Sequence, residues 1–260
     1  VRAFVVGSGS SGNALLVEAA GMRILVDAGV GPHKLEARLA RLGVALHPRG
    51  VDAIVPTHHH GDHFAQLERL AVVLRAPIWV HRGIDLSRIS RALDLRTYAM
   101  GRTFRIGELE LTTERVPHDA PHVALRIATR EHALGVAVDV GHVTRDVVSL
   151  LASCDAAIVE ANHCPELLAL GEYPQHLKRR ITSGYGHLSN AAAADLASRL
   201  VGSRVTRLWL AHLSRENNTE SRALETVASS AKRIFVSVLP HGAVETIDVR
   251  ARAQQLALPF

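Results

Sequence analysis

Cysteine is scarce: the 260 residues include only two, Cys154 and Cys164, with no CxxC spacing. That excludes a disulfide framework and a thiolate zinc site, leaving two reduced thiols. Long apolar runs are missing as well. No stretch approaches the roughly 18 residues of a membrane helix, because residues such as Gln66, Glu68, Arg69 and Asp139 interrupt the candidates. The N-terminal apolar stretch Ala3–Val6 is too short for a signal-peptide core, so a cytoplasmic address and no membrane partner are expected. Tandem repeats, low-complexity tracts and linkers are also absent, which favours one domain over residues 1–260. No segment marks an obligate protein partner.

What is present is ordinary for a globular chain. Hydrophobic residues make up 47% and charged residues 21%, enough for a sizeable core and too apolar for wholesale disorder. Thirty Lys and Arg against 25 Asp and Glu give a net charge of +5, a balance that suits a polyanionic partner.

Short strand-like runs alternate with helical ones. Ala3–Val6, Ala14–Glu18 and Met22–Val26 read as strands around the glycine-rich loop Gly7–Gly12. Pro32–Leu42 has Leu35, Leu39 and Leu42 at helical spacing, with Pro32 opening it and Gly43 closing it. Val51–Val55 is an apolar strand, Phe64–Leu74 a helix, Ile78–Val80 a strand and Ile84–Leu93 a helix. Thr103–Val116 reads as a hairpin turning at Gly107, followed by strands Val123–Thr129 and Ala133–Val138. Helices are expected at Val143–Ala152, Asn190–Leu200 and Glu220–Ala231, and strands at Ala156–Glu160, Val205–Ala211 and Arg233–Val238. Two sheets with helices outside them, a four-layer αββα sandwich of the α/β class, is the architecture this order predicts.

The decisive segment is Pro56-Thr57-His58-His59-His60-Gly61-Asp62-His63, directly after Val51–Val55. His58 and His60 are two apart, so an extended strand end turns both to one side. Asp62 and His63 follow across Gly61, which permits a tight turn toward a second position nearby. The cluster thus offers two nitrogens to one metal and an oxygen with a nitrogen to another, a mixture that suits Zn, Mn or Fe better than Ca or Mg. His59 remains unassigned.

The HxHxDH pattern after a buried strand resembles the metallo-β-lactamase superfamily, and the likeness runs along the whole chain. It implies that superfamily's αββα sandwich and two divalent cations. His118, in Val116-Pro117-His118, is implied as the third ligand of the first metal. Asp139, in Val138-Asp139-Val140-Gly141, is implied as the bridging carboxylate, and His212 as the last ligand of the second metal. Asp27 matches an early aspartate that orients the histidine loop from outside the ligand set.

Further segments resemble the YycJ (WalJ) family of metallo-β-lactamase-fold proteins, which is associated with 5′-to-3′ degradation of duplex DNA. They are Gly7-Ser8-Gly9-Ser10-Ser11-Gly12-Asn13, Glu160-Ala161-Asn162-His163, Gly186-His187-Leu188-Ser189-Asn190 and Ala211–Asn218. The family likeness spans about residues 4–240. One departure stands out: Cys164 occupies a position where many members carry an aspartate. The loop residues Ser8, Ser10, Ser11 and Asn13 could present hydroxyls and backbone N–H groups to a phosphate. His187, near the start of the Asn190 helix, could donate to a phosphate oxygen, and Asn162 and His163 could line the same cleft. His33, His47, His81, His122, His132, His142, His176 and His241 read as surface or core histidines, with His122 and His142 singled out as neighbours of ligands.

The expected chemistry is attack on a phosphodiester by a hydroxide held between the two metals. Asp62, Asp139 and His187 are the catalytic set, and His187 stabilises the phosphorane or protonates the leaving group. The alternatives are a phosphodiesterase of cyclic or nucleotide substrates, a lactone or thioester hydrolase, and a metal-dependent DNA-binding protein without catalysis. Redox chemistry is disfavoured: His60 stands where the superfamily's di-iron oxidoreductases carry glutamate, and no flavin domain is expected. No β-CASP domain interrupts the chain.

Overall fold

The computed structural model describes residues 1–249, and residues 250–260 of the expected single domain lie outside it. The first sheet contains β1 (Arg2–Gly7), β2 (Ala14–Ala19), β3 (Met22–Val26), β4 (Ala53–Val55), β5 (Ile78–His81) and β6 (Leu95–Tyr98). The second contains β7 (Thr103–Ile106), β8 (Leu109–Arg115), β9 (Val123–Ala128), β10 (Ala133–Ala137), β11 (Ala156–Glu160), β12 (Arg207–Ala211) and β13 (Phe235–Val238). A last strand, β14 (Glu245–Asp248), returns to the first sheet beside β1. The orders are β14-β1-β2-β3-β4-β5-β6 and β13-β12-β11-β10-β9-β8-β7.

Strand alternation sorts the core into three layers. Ile24 and Val26 of β3, Ala53 and Val55 of β4, Ile158 of β11 and Trp209 of β12 pack between the sheets. Their neighbours point the other way. Leu25 and Ile54 meet α1 (Pro32–Arg41), through Leu35 and Leu39, and the Leu67–Leu74 helix. On the far side, Ala157, Val159, Leu208 and Leu210 meet Leu150 and Leu151 of the Arg145–Ala152 helix, Leu196 and Leu200 of the Asn190–Leu200 helix, and Val227 of the Glu220–Ser230 helix. This is the αββα sandwich expected from the order of elements. Each such Val, Leu or Ile side chain stabilises by about 1.5–3 kcal/mol when fully buried.

Three local expectations need correction. The Phe64–Leu74 helix is two helices, α2 (Gly61–Phe64) and α3 (Leu67–Leu74), separated where the Gln66 N–H turns to the Ala28 carbonyl. The helix expected at Ile84–Leu93 is only a 3₁₀ turn at Leu86–Arg88. There Asp85 accepts from the Ser87 N–H and Ser90 Oγ from the Ala92 N–H, so side chains take the donors a longer helix would use. Beyond α4 (Arg145–Ala152), two short helices not read from the sequence, α5 (Pro165–Leu170) and α6 (Gln175–Ile181), precede α7 (Asn190–Leu200) and α8 (Glu220–Ser230).

Strands β3 to β6 run parallel to one another, as do β10 to β13. Their carboxyl ends therefore collect at one edge, which is where open α/β sheets bind ligands. Asp27, His58, Asp139, Glu160 and His212 all sit at or just past these ends. Among the described residues no helix is long and apolar enough to cross a membrane.

Candidate metal centre

The histidine loop is held by what precedes it in the first sheet. Asp27 Oδ1 accepts from the Thr57 N–H (2.7 Å) and hydroxyl (2.9 Å), while Oδ2 lies 2.7 Å from His63 Nδ1. Holding Nδ1 turns His63 Nε2 toward the site, where it stands 2.7 Å from Asp139 Oδ2. Asn13 Nδ2 lies 2.8 Å from that same Nε2 and 3.2 Å from Asp62 Oδ2. Gly29 is required nearby because any Cβ there would run into the Asp62 carbonyl.

Three of the site residues, Asp27, Asp139 and His212, have left-handed backbones, with φ of 62°, 53° and 56°. Such conformations cost on the order of 1–3 kcal/mol each and persist where the surroundings fix them. Here they turn the chain sharply at strand ends, so that the side chains point across the gap between the sheets.

The donors form three groups, each with its ligand atoms within 4.8 Å of one another: His58, His60 and His118; Asp62, His63, Asp139 and His212; and Asp139, Glu160, His187 and His212, the last two sharing Asp139 and His212. Asp139 joins the first to the second, since its Oδ2 is also 3.6 Å from His58 Nε2. The fit to cations rests on His58 Nε2, which is fully buried and has no hydrogen-bond partner, a state that is costly unless a ligand completes it. Asp139 Oδ1 faces His212 Nδ1 at 3.0 Å and His187 Nδ1 at 3.1 Å. Burial, reinforced by His122 and His63, holds His58 neutral far below the usual histidine range, and neutral imidazole is the form that ligates. These His and Asp groups are able to bind metal ions.

Glu160 was not singled out as a site residue, yet it organises one side of the centre. Completely buried at the end of β11, it accepts from the Val140 N–H (2.8 Å) and the Leu188 N–H (3.0 Å). Its Oε1 lies 2.8 Å from His187 Nδ1 and 3.0 Å from His212 Nδ1. Burial works against its charge, but His187 and His212 outweigh this and hold Glu160 at about 2 in the metal-free protein. Burial likewise disfavours charged His187, and Glu160 and Asp139 together raise it to about 9. The sequence signal was an acid closing an otherwise apolar buried strand.

Asp119 was also passed over. Its Oδ1 is 3.2 Å from His60 Nε2 and 3.3 Å from His118 Nε2. Arg180 of α6 clamps the other oxygen through Nε (2.8 Å) and Nη2 (2.7 Å).

A cleft of about 430 Å³ opens over the donors, walled on its far side by Tyr173, Leu177 and Ile181. Of the residues expected to contact substrate, Ser10, Asn162 and His187 line it. The other four serve elsewhere. Ser8 is buried and its hydroxyl accepts from the His212 N–H (3.0 Å), and Asn13 ties Gly9 to His63. Ser11 meets His241 at the surface, and the ring of His163 is buried. Within the loop expected to cradle a phosphate, the Gly12 N–H bonds to the Gly9 carbonyl. His122 braces the Val138 carbonyl through Nε2 (2.7 Å), and His142 meets the Gly184 carbonyl.

Asp27→Asn is expected to weaken metal binding about 10- to 100-fold, the usual effect of losing the partner behind a ligating histidine. Competition against a zinc-responsive chelator measures this. An unchanged affinity would remove Asp27 from the site.

Residues 22–213 match the beta-lactamase superfamily domain. The chain is 31% identical over 242 residues to exodeoxyribonuclease WalJ of Streptococcus pneumoniae serotype 2 (strain D39 / NCTC 7466), covering 90% of this chain and 89% of that protein. Exodeoxyribonuclease YycJ of Bacillus anthracis is 29% identical over 230 residues, with 86% of each chain covered. The fold is shared with the metallo-beta-lactamase fold protein YhfI of Bacillus subtilis, at a TM-score of 0.72 and 16% identity over 95% of this chain and 99% of that one. Strand-end donors on two facing sheets and a domain match over most of the sequence agree: the chain belongs to the beta-lactamase superfamily, among the relatives of WalJ and YycJ.

Proposed function

We propose that this chain is a single-domain, dinuclear metal-dependent phosphodiesterase that degrades duplex DNA from the 5′ end. The observation that carries the reading is the position of Asp139, one buried carboxylate within 2.7 Å of His63 Nε2 and 3.6 Å of His58 Nε2, at the floor of an open cleft. His58, His60 and His118 would hold one cation, Asp62, His63 and His212 the other, and Asp139 both. Zn²⁺ and Mn²⁺ suit this nitrogen and oxygen set, as does iron. Bound there, divalent cations lower the pKa of water, polarise the phosphoryl oxygen and stabilise charge on the leaving oxygen.

The chain's own groups do the rest. Glu160 holds the His187 Nδ1–H, which leaves Nε2 as the nitrogen that hands a proton to the leaving oxygen. Asp139 and Asp62 fix the donor sets relative to each other, and Arg180 can meet an adjacent phosphate at the rim. The net charge of +5 and the kinship with two exodeoxyribonucleases favour DNA over a small ester. A cytoplasmic location goes with that substrate.

Digestion of end-labelled single- and double-stranded DNA with Mn²⁺ and with Zn²⁺ tests the reading. Release from the 5′ end of duplex is expected, with KM rising steeply with salt as several phosphate contacts are lost. A flat salt dependence with turnover of nucleotide esters alone would make the protein a small-molecule phosphodiesterase. DNA retention without cleavage in Mn²⁺ would make it a binding protein.

A further inference from the structure

A phosphodiester in a DNA strand has a nucleoside on each side, whereas the cleft over the donors offers one apolar wall, Tyr173, Leu177 and Ile181. Beside His118 lies a second hollow of about 340 Å³, bounded by Met100, Arg115, Pro117, Pro121 and Tyr185. His118 and Asp119 line it too, and the latter carries the ion pair with Arg180 on the cleft's rim, so the two spaces meet at the donor cluster. We infer that this hollow is the second nucleoside subsite, taking the base on the far side of the scissile phosphate with Tyr185 as its stacking face and Arg115 on the next phosphate. The inference rests on the DNA reading above and deepens it.

Three observations support that occupant. Tyr185 is 61% exposed, on the short loop leading into His187, and no other ring packs on it among the described residues. An exposed aromatic beside a reactive cleft is a sequence-tolerant platform for a base. Arg115 is exposed at the end of β8, and its side chain makes no ion pair or hydrogen bond among the described residues, whereas the Arg180 guanidinium is held by Asp119. The walls between them are apolar, Met100, Pro117 and Pro121, and the volume falls in the lower part of the roughly 300–1,000 Å³ range of ligand sites. A flat apolar ring attached to a phosphate matches this combination; a bare anion would leave the apolar walls unused.

The test is binding of an internally fluorescein-labelled duplex, with phosphorothioate linkages at its ends, to the Mn²⁺-loaded protein by anisotropy. Arg115→Ala and Tyr185→Ala should each raise Kd about tenfold, while Tyr185→Phe, which keeps the ring face, stays within about twofold of the parent. Arg130→Ala is the control for general charge. It lies in the turn between β9 and β10, at the opposite end of the sheet from Asp139, and it should change Kd less than about twofold. Unchanged affinity in Arg115→Ala and Tyr185→Ala, or an equal loss in Arg130→Ala, overturns the subsite. A parent protein that cuts unmodified duplex normally in that case keeps the DNA reading intact, whereas one that neither binds nor cuts duplex sinks the DNA reading and the subsite with it.

Discussion

Asp139→Asn should abolish metal-supported phosphodiesterase activity while leaving the protein folded. Cations in such a site supply several kcal/mol of transition-state stabilisation, and at about 1.36 kcal/mol per decade that is a loss of about a thousandfold or more. Asparagine is the informative replacement. Asp139 has φ of 53°, a region asparagine enters nearly as readily as aspartate whereas alanine is strained there. The variant therefore removes the charge between the two donor sets without adding backbone cost. Circular dichroism should be unchanged, and the bound metal measured by mass spectrometry should fall. Asp139→Ala should be equally inactive and less stable. A fully active Asp139→Asn protein would dispose of the bridging role, and with it the proposed chemistry.

Glu160→Gln is the second large effect, and here activity and stability fall together. The carboxylate takes four donors: the Val140 and Leu188 N–H groups and the Nδ1 atoms of His187 and His212. An ionised carboxylate has about four lone-pair sites, whereas an amide has only its carbonyl oxygen to accept with and brings two donors of its own. At least two buried donors then go unsatisfied, at about 1–3 kcal/mol each. That is a large share of the roughly 5–15 kcal/mol by which domains are stable.

The catalytic loss expected for Glu160→Gln is about a hundred- to a thousandfold, because a metal-site histidine and the proton donor lose their orientation at once. His187→Gln separates the two consequences. It should lose most of the same activity, since the proton donor is gone, yet keep most of the stability, since His212 and both backbone N–H groups retain Glu160. Thermal melts and kcat on one DNA substrate measure both. Parent-like melting and turnover in Glu160→Gln would show that the carboxylate does not wire the site.

Four of the seven proposed metal ligands were legible because they are neighbours in the chain. His58, His60, Asp62 and His63 lie within six positions, and their spacing alone turns them to two adjacent places. Alternation in β3, β4, β11 and β12 was equally readable, since strand periodicity is local. The misreadings were also local, but of another kind. At Asp85–Ser90 short polar side chains took backbone donors and shortened the expected helix. Ser8 and Asn13 carry the right chemistry for a phosphate loop; Ser8 bonds to the His212 N–H, 204 residues away, and Asn13 to His63.

The sequence by itself determined the two-sheet architecture, the metal-ligand chemistry and the kinship, all of which depend on residue type, order and short spacing. Only the tertiary structure decided that Glu160 anchors His187 and His212, that Asp119 and Arg180 cross the rim, and that Ser8 faces inward. These are contacts between segments far apart in the chain, and their identity depends on how parallel strands register. Glu160 pairs with Ala211, next to His212, only because β11 and β12 align at that residue. A shift of one position would send the carboxylate to the helix-covered face of the sheet instead.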